Sequence, residues 1–143
     1  MDAKLVAEAV LTTLKAAMTT LAYVEAIGHD VGSLDEFIQY VKLPSAGVSY
    51  GGGVFTTDDE EAEITDEEMT IQVWIVIDDY HGYAAGMSES GGIYDILNQI
   101  AAQLQGQKLG LDIAPLKRIT QSPLQRTPGR IMWSQIWRTN FVN

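Results

Sequence analysis

Apolar residues first recur at Val6, Val10, Leu14, Ala17 and Met18. Spacings of three and four place them on one stripe, which predicts a helix over 3–18. Asp2 stands where it can cap the first turn. The period then changes. Residues 21–27 (LAYVEAI) are rich in β-formers and predict a short strand ended by Gly28. Ser33, with Glu36 three residues on, forms a capping box for a short helix over 34–41, which Pro44 stops. Residues 46–50 predict a second strand, closed by the triple glycine at 51–53.

From Met69 the pattern alternates through Ile71, Val73, Ile75 and Ile77, while Trp74 and Val76 make the opposite face apolar too. A strand apolar on both faces is expected to be central and covered on each side. Asp78-Asp79 ends it, and 80–90 reads as a loop. Ser88 or Ser90 is expected to start a third helix over about 92–105, with Ile93, Ile96, Leu97, Ile100 and Leu104 on its stripe. Gly106 is placed to end it in the left-handed conformation. Residues 114–122 suit a strand, and 123–130 (PLQRTPGR) an exposed arm or hairpin loop. The last strand, 131–142, carries Ile131, Trp133, Trp137 and Phe141 on one face and Met132, Ser134, Ile136, Arg138 and Asn140 on the other. With no internal repeat and no linker, residues 1–143 are expected to form one α+β domain. Its architecture is a mainly antiparallel sheet packed against about three helices.

Composition narrows the function classes. With 46% hydrophobic and 20% charged residues the chain folds by burying a core. No run approaches the roughly 20 apolar residues of a membrane span, and Asp2 and Glu8 interrupt any leader pattern. The absence of cysteine excludes disulfides, thiolate metal sites and cysteine nucleophiles. Folding in the cytosol is expected. A net charge of −10 argues against general nucleic-acid binding, which needs clustered Lys and Arg. Its distribution is uneven. Residues 1–106 carry 18 acids and three bases, whereas 107–143 carry Asp112 against Lys108, Lys117, Arg118, Arg126, Arg130 and Arg138.

Eight acids fall within eleven positions: Asp58, Asp59, Glu60, Glu61, Glu63, Asp66, Glu67 and Glu68. Such density repels itself, so a loop or solvated hairpin tip is expected. Besides solubility, two roles are open to it. It can rim a channel that DNA passes without sticking, or face the basic part of an adjacent subunit. An EF-hand is disfavoured because the stretch lacks the required glycine. Unlike charges on different parts of one molecule favour head-to-tail contacts, which close into rings. Lys117, Arg118, Arg126 and Arg130 are therefore candidate interface charges, with Trp133 and Trp137 candidate apolar contacts, although core packing is the better reading of either one individually.

Catalytic chemistry has little support. His29 and His81 each stand beside acids and a glycine, in expected turns, and no nucleophile-elbow motif occurs. Adjacent residues such as Asp78 and Asp79 point to opposite faces of a strand, so they make a poor carboxylate pair. Neither Gly51-Gly52-Gly53 nor Gly91-Gly92 has the residues of a phosphate-binding loop. The chain is expected to be no enzyme, with no catalytic residue, no cofactor and no metal. The alternative class is a small hydrolase or ligand-binding enzyme using the 78–91 loop with His81.

Two stretches carry a family resemblance. IAAQLQGQKLGLDIAPL (100–116) resembles the corresponding stretch of a family of Mu-like phage and prophage tail-completion proteins. GRIMWSQIWRTNF (129–141) is similar to that family's final, Gly-led strand with its Thr-containing end. The acidic segment 58–68 departs from the family pattern. The resemblance implies a tail-terminator-like α+β domain that forms a sixfold ring, caps the tail tube and receives the neck. The implied partners are copies of itself, the tail tube protein and neck or head-completion proteins. DNA would pass nearby without specific binding, and no membrane is involved. The implied place is the virion tail or neck, assembled in the host bacterial cytoplasm. A monomeric neck adaptor is the blander form of the same reading.

Overall fold

A computed structural model describes residues 3–27, 36–39, 41–57, 64–78, 92–127 and 129–142. The chain forms helix α1 (Ala3–Ala17), strands β1 (Tyr23–Ala26), β2 (Ser45–Thr57) and β3 (Ile64–Asp78), helix α2 (Ile93–Leu104), then β4 (Lys117–Thr127) and β5 (Arg130–Val142). Residues 36–39 make a third, short helical stretch. The five strands lie in the order β1-β2-β3-β5-β4. Only the β1/β2 pair is parallel; the other three pairs are antiparallel. The molecule is thus α+β, a single domain with a mostly antiparallel sheet and three helices.

Burial follows strand parity. On β3, Met69, Ile71, Val73, Ile75 and Ile77 join Val6, Val10 and Leu14 of α1 and Ile93, Ile96, Leu97, Ile100 and Leu104 of α2 in the main core. Trp74 and Val76 point the other way and meet Phe37, Ile38 and Met132 in a second, smaller core. The expected two-sided strand is therefore the central one, covered by helices on one face and by the segment between β1 and β2 on the other. Gly47 belongs to that second face: the Ile27 side chain occupies the place its Cβ would take, 2.7 Å from Ile27 Cδ1.

Several element boundaries differ from expectation, β3 among them, which starts at Ile64 instead of Met69. The triple glycine does not close β2, because the strand runs on to Thr57 with a bulge between Tyr50 and Gly52. Gly52 has φ +107°, which an L side chain rarely adopts, and the extra residue lets a 13-residue strand bend without stopping. Residues 123–127 are no exposed arm but the second half of β4, paired to β5. Pro123 is tolerated there because β4 is an edge strand with bulges beside it. At α2 the N-cap is Gly92, without a side-chain cap, in place of either serine. Ala17 is exposed, off the α1 stripe, while Met18 extends it by an N–H bond to the Leu14 carbonyl at 2.8 Å. Gly106 ends α2 at φ +76°, as expected. Asp2, Gly28, Ser33, Ser88 and Ser90 lie outside the described residues.

One buried polar side chain ties α2 to the sheet. Gln135 is fully buried, and its Nε2 donates to the Leu97 carbonyl at 2.9 Å and to Gln121 Oε1 at 3.1 Å. Its Oε1 accepts from Trp137 Nε1 at 3.2 Å. Buried groups of this kind cost little while paired and much when one partner is lost. Gln135→Ala is expected to destabilise the fold by about 1–3 kcal/mol, since it orphans the Trp137 indole N–H. A lower urea midpoint at unchanged slope is the measurement that checks it.

Candidate assembly surface

The two ends of the sheet differ in chemistry because the strands are long. From Asp66 to Asp78 the backbone of β3 spans about 40 Å at roughly 3.3 Å per residue. One end holds the Thr57/Ile64 pair of β2 and β3 and the last residues of β5. The other holds Asp78 opposite Arg130 and the start of β2.

At the first end the 105–117 segment folds against β5. The Gly106 N–H donates to the Leu116 carbonyl, and the Leu116 N–H to the Gln107 carbonyl, both at 2.9 Å. The Ala114 N–H reaches the Asn140 carbonyl at 2.7 Å, and the Thr139 hydroxyl donates to the Ala114 carbonyl at 2.5 Å. Ile113 and Leu116 are buried in the main core beside this joint. The segment after α2 is therefore tied to the end of β5 through Ala114 and Thr139.

The acids are not all in a loop. Asp58, Asp59, Glu60, Glu61 and Glu63 lie outside the described residues, whereas Asp66, Glu67 and Glu68 stand in β3, opposite Thr56, Phe55 and Val54 of β2. Glu67 is only 7% exposed, against the expectation that such a run stays fully solvated. Its parity on β3 explains this, since it shares the face of Met69 and stands opposite Phe141. Gly53 leaves room here: a Cβ on it would lie 2.7 Å from Tyr50 Oη and 3.3 Å from Glu67 Oε1. Burial, and then the neighbouring Glu67 charge, push the Tyr50 phenol above its ordinary value, because both disfavour phenolate. Glu68, on the opposite face, pairs with Arg138 at 3.4 Å.

The bases are divided. Lys117 and Arg118 are exposed on β4, where Arg118 Nη1 donates to Gln121 Oε1 at 3.0 Å and its backbone N–H to Gln105 Oε1 at 3.2 Å. Arg126 stands opposite Ile131 in the β4/β5 ladder. Arg130 is half-buried: its Nη1 donates to the carbonyls of Val41 at 2.7 Å and Ile38 at 3.2 Å. Its charge anchors the cover over the second core. The simple division into an acidic part and a basic part gives way to two internally committed arginines, Arg130 and Arg138, and an edge strand that keeps Lys117 and Arg118 outward.

Trp133 sits in the main core, 8% exposed, with its ring edge-on to Tyr94 at 6.0 Å between centroids. Among the described residues the large apolar side chains at the surface are others: Leu5 on α1, Tyr23 on β1, Tyr50 on β2, Tyr94 on α2, and Ile119 and Leu124 on β4. Sequence periodicity misses Ile119 and Leu124 because both are the extra residues of bulges, at the register shifts between Arg118 and Thr120 and between Pro123 and Gln125.

Among the described residues no group of three or more His, Asp or Glu is placed to hold a metal. No described helix is long and apolar enough to cross a membrane. Apart from Asp78, the 78–91 loop and both histidines lie outside the described residues. A scan against models of protein families found no match, and a search of curated proteins found no significant relative.

Arg130→Ala is expected to lower stability by about 1–3 kcal/mol, because it strips a charged donor from two backbone carbonyls. Lys117→Ala should stay within about 0.5 kcal/mol of the parent, as an exposed substitution does. Paired urea titrations of the two variants check this contrast.

Proposed function

We propose that the chain is a structural protein of a phage tail. In this reading it is a tail terminator or completion subunit that caps the tail tube at its head-proximal end and joins tail to head. The reading rests on the resemblance of 100–116 and 129–141 to Mu-like tail-completion proteins. In the fold these two stretches meet through the Thr139 and Ala114 hydrogen bonds.

The mechanism is capping by shape. Copies associate side to side in a ring, hexameric in the form that the resemblance implies, and cover the exposed end of the tube. Neck or head-completion proteins occupy the other side. Carboxylates of the 58–68 stretch repel phosphate where DNA passes, which keeps the path unobstructed. No specific nucleic-acid contact, cofactor or bond-making step is required of it. Its place is the virion tail or neck, after assembly in the host cytoplasm.

Electron microscopy of purified tails tests the reading. The expected result is density for this chain in a ring at the head-proximal end of the tube. Its location elsewhere in the particle, or its absence from purified tails, would overturn the proposal. Hydrolytic activity lost in His81→Ala would replace it with the alternative class.

A further inference from the structure

Strand β4 is the outer strand beside β5, and its first half is basic. Lys117, Arg118, Ile119, Thr120 and Gln121 are all exposed, Ile119 at 43% although it is a large aliphatic residue. Leu124, at the second bulge, is 47% exposed. No acid occurs from residue 113 to residue 143, so this part of the chain supplies no carboxylate to answer Lys117 and Arg118.

The strip is suited to side-chain contacts and poorly suited to strand addition. The Arg118 N–H already donates to Gln105 Oε1 at 3.2 Å, Pro123 has no N–H to give, and two bulges interrupt the ladder. Arg118 Nη1 donates to Gln121 Oε1 at 3.0 Å. That acceptor is neutral, so the bond positions the guanidinium without cancelling its charge. A cationic surface with an aliphatic centre fits a partner that brings carboxylates.

The chain's own densest acids are those of 58–68. One copy cannot bring them to its own strip. Arg118 stands opposite Trp137, and Trp137 opposite Ile71. From Arg118 across two strand spacings, and along β3 from Ile71 to Ile64, the span is about 25 Å. Thr57 and Ile64 are paired. Residues 58–63 therefore extend at most about 12 Å from that base, at roughly 3.5 Å per residue out and back. Between copies no such limit applies. Two basic strips would oppose like charges, and so would two acidic stretches, which leaves the unlike pairing.

We propose that the outer surface of β4, Lys117–Gln121 with Leu124, docks the acidic 58–63 stretch of a second copy of this chain. The two cations set orientation, while covering Ile119 and Leu124 supplies attraction that exposed ion pairs lack. Five acids against two cations leave negative charge over, so the stretch still turns phosphate away. A contact between two different surfaces is head-to-tail and makes a ring when its rotation closes. It rests on the ring reading and assigns the surfaces that make the ring.

A charge swap tests it. Sedimentation velocity is run over a concentration series on the full chain, a Lys117→Glu/Arg118→Glu variant, a Glu60→Lys/Glu61→Lys variant, and an equal mixture of the two variants. The parent is expected to self-associate, more weakly as salt rises. Each variant alone should associate at least about tenfold more weakly, because like charges then face each other. The mixture should recover the parent's affinity, since each variant meets its opposite in the other. Urea midpoints matching the parent's exclude lost folding as the cause. Unchanged association of either variant alone, or a mixture no better than its components, would overturn this interface while leaving the tail reading intact. A parent that is monomeric at every concentration would overturn it as well, and position in the tail is decided separately by microscopy.

Discussion

A strand that is apolar on both faces cannot lie at a surface, and β3 imposes that condition on the whole molecule. Its odd-numbered residues demand helices on one side, and α1 and α2 meet the demand with stripes of Val, Ile and Leu. Trp74 and Val76 demand cover on the other side, met by Phe37 and Ile38 from the chain between β1 and β2. That second cover is small and sits at one end of the sheet. Arg130 holds it there by donating to the carbonyls at its edge. An arginine that resembles an interface charge in the sequence is thus a brace.

The same parity governs the polar groups. Trp74 Nε1 finds Ser49 Oγ at 3.0 Å on one face, while Gln135 gathers Leu97, Gln121 and Trp137 on the other. Thr139 closes the joint with Ala114. Gln135 joins α2 to the sheet and Thr139 joins the 105–117 segment to it, whereas Trp74 and Ser49 tie β3 to β2. Trp133 Nε1 is the buried side-chain polar atom without such a partner among the described residues.

Elements with a strong period are legible in the sequence: the α1 stripe, the α2 stripe, the alternation of β3 and the two faces of β5. These are set by local repetition and by burial, which a single sequence displays. The misses have a common cause. Gly51–Gly53 and Pro123 are turn-forming residues by local preference, yet they stand inside strands because long neighbours on one side supply a ladder that outweighs it. Bulges absorb the misfit in both places, and they turn Ile119 and Leu124 outward. Charge density ignores parity, so by that measure alone Glu67 belongs in solvent, whereas its strand position buries it. The pairing of Arg138 with Glu68 joins residues 70 apart, and no local pattern signals it.

The fold has its firm centre at β3, which is paired along its length to β2 and β5, while β4 is an outer strand paired to β5. Hydrogen exchange on the intact chain tests this most directly. Ile71–Ile77 of β3 is expected to exchange far more slowly than Lys117–Gln121 of β4. Protection of Lys117–Gln121 equal to that of Ile71–Ile77 would contradict a fold organised around β3.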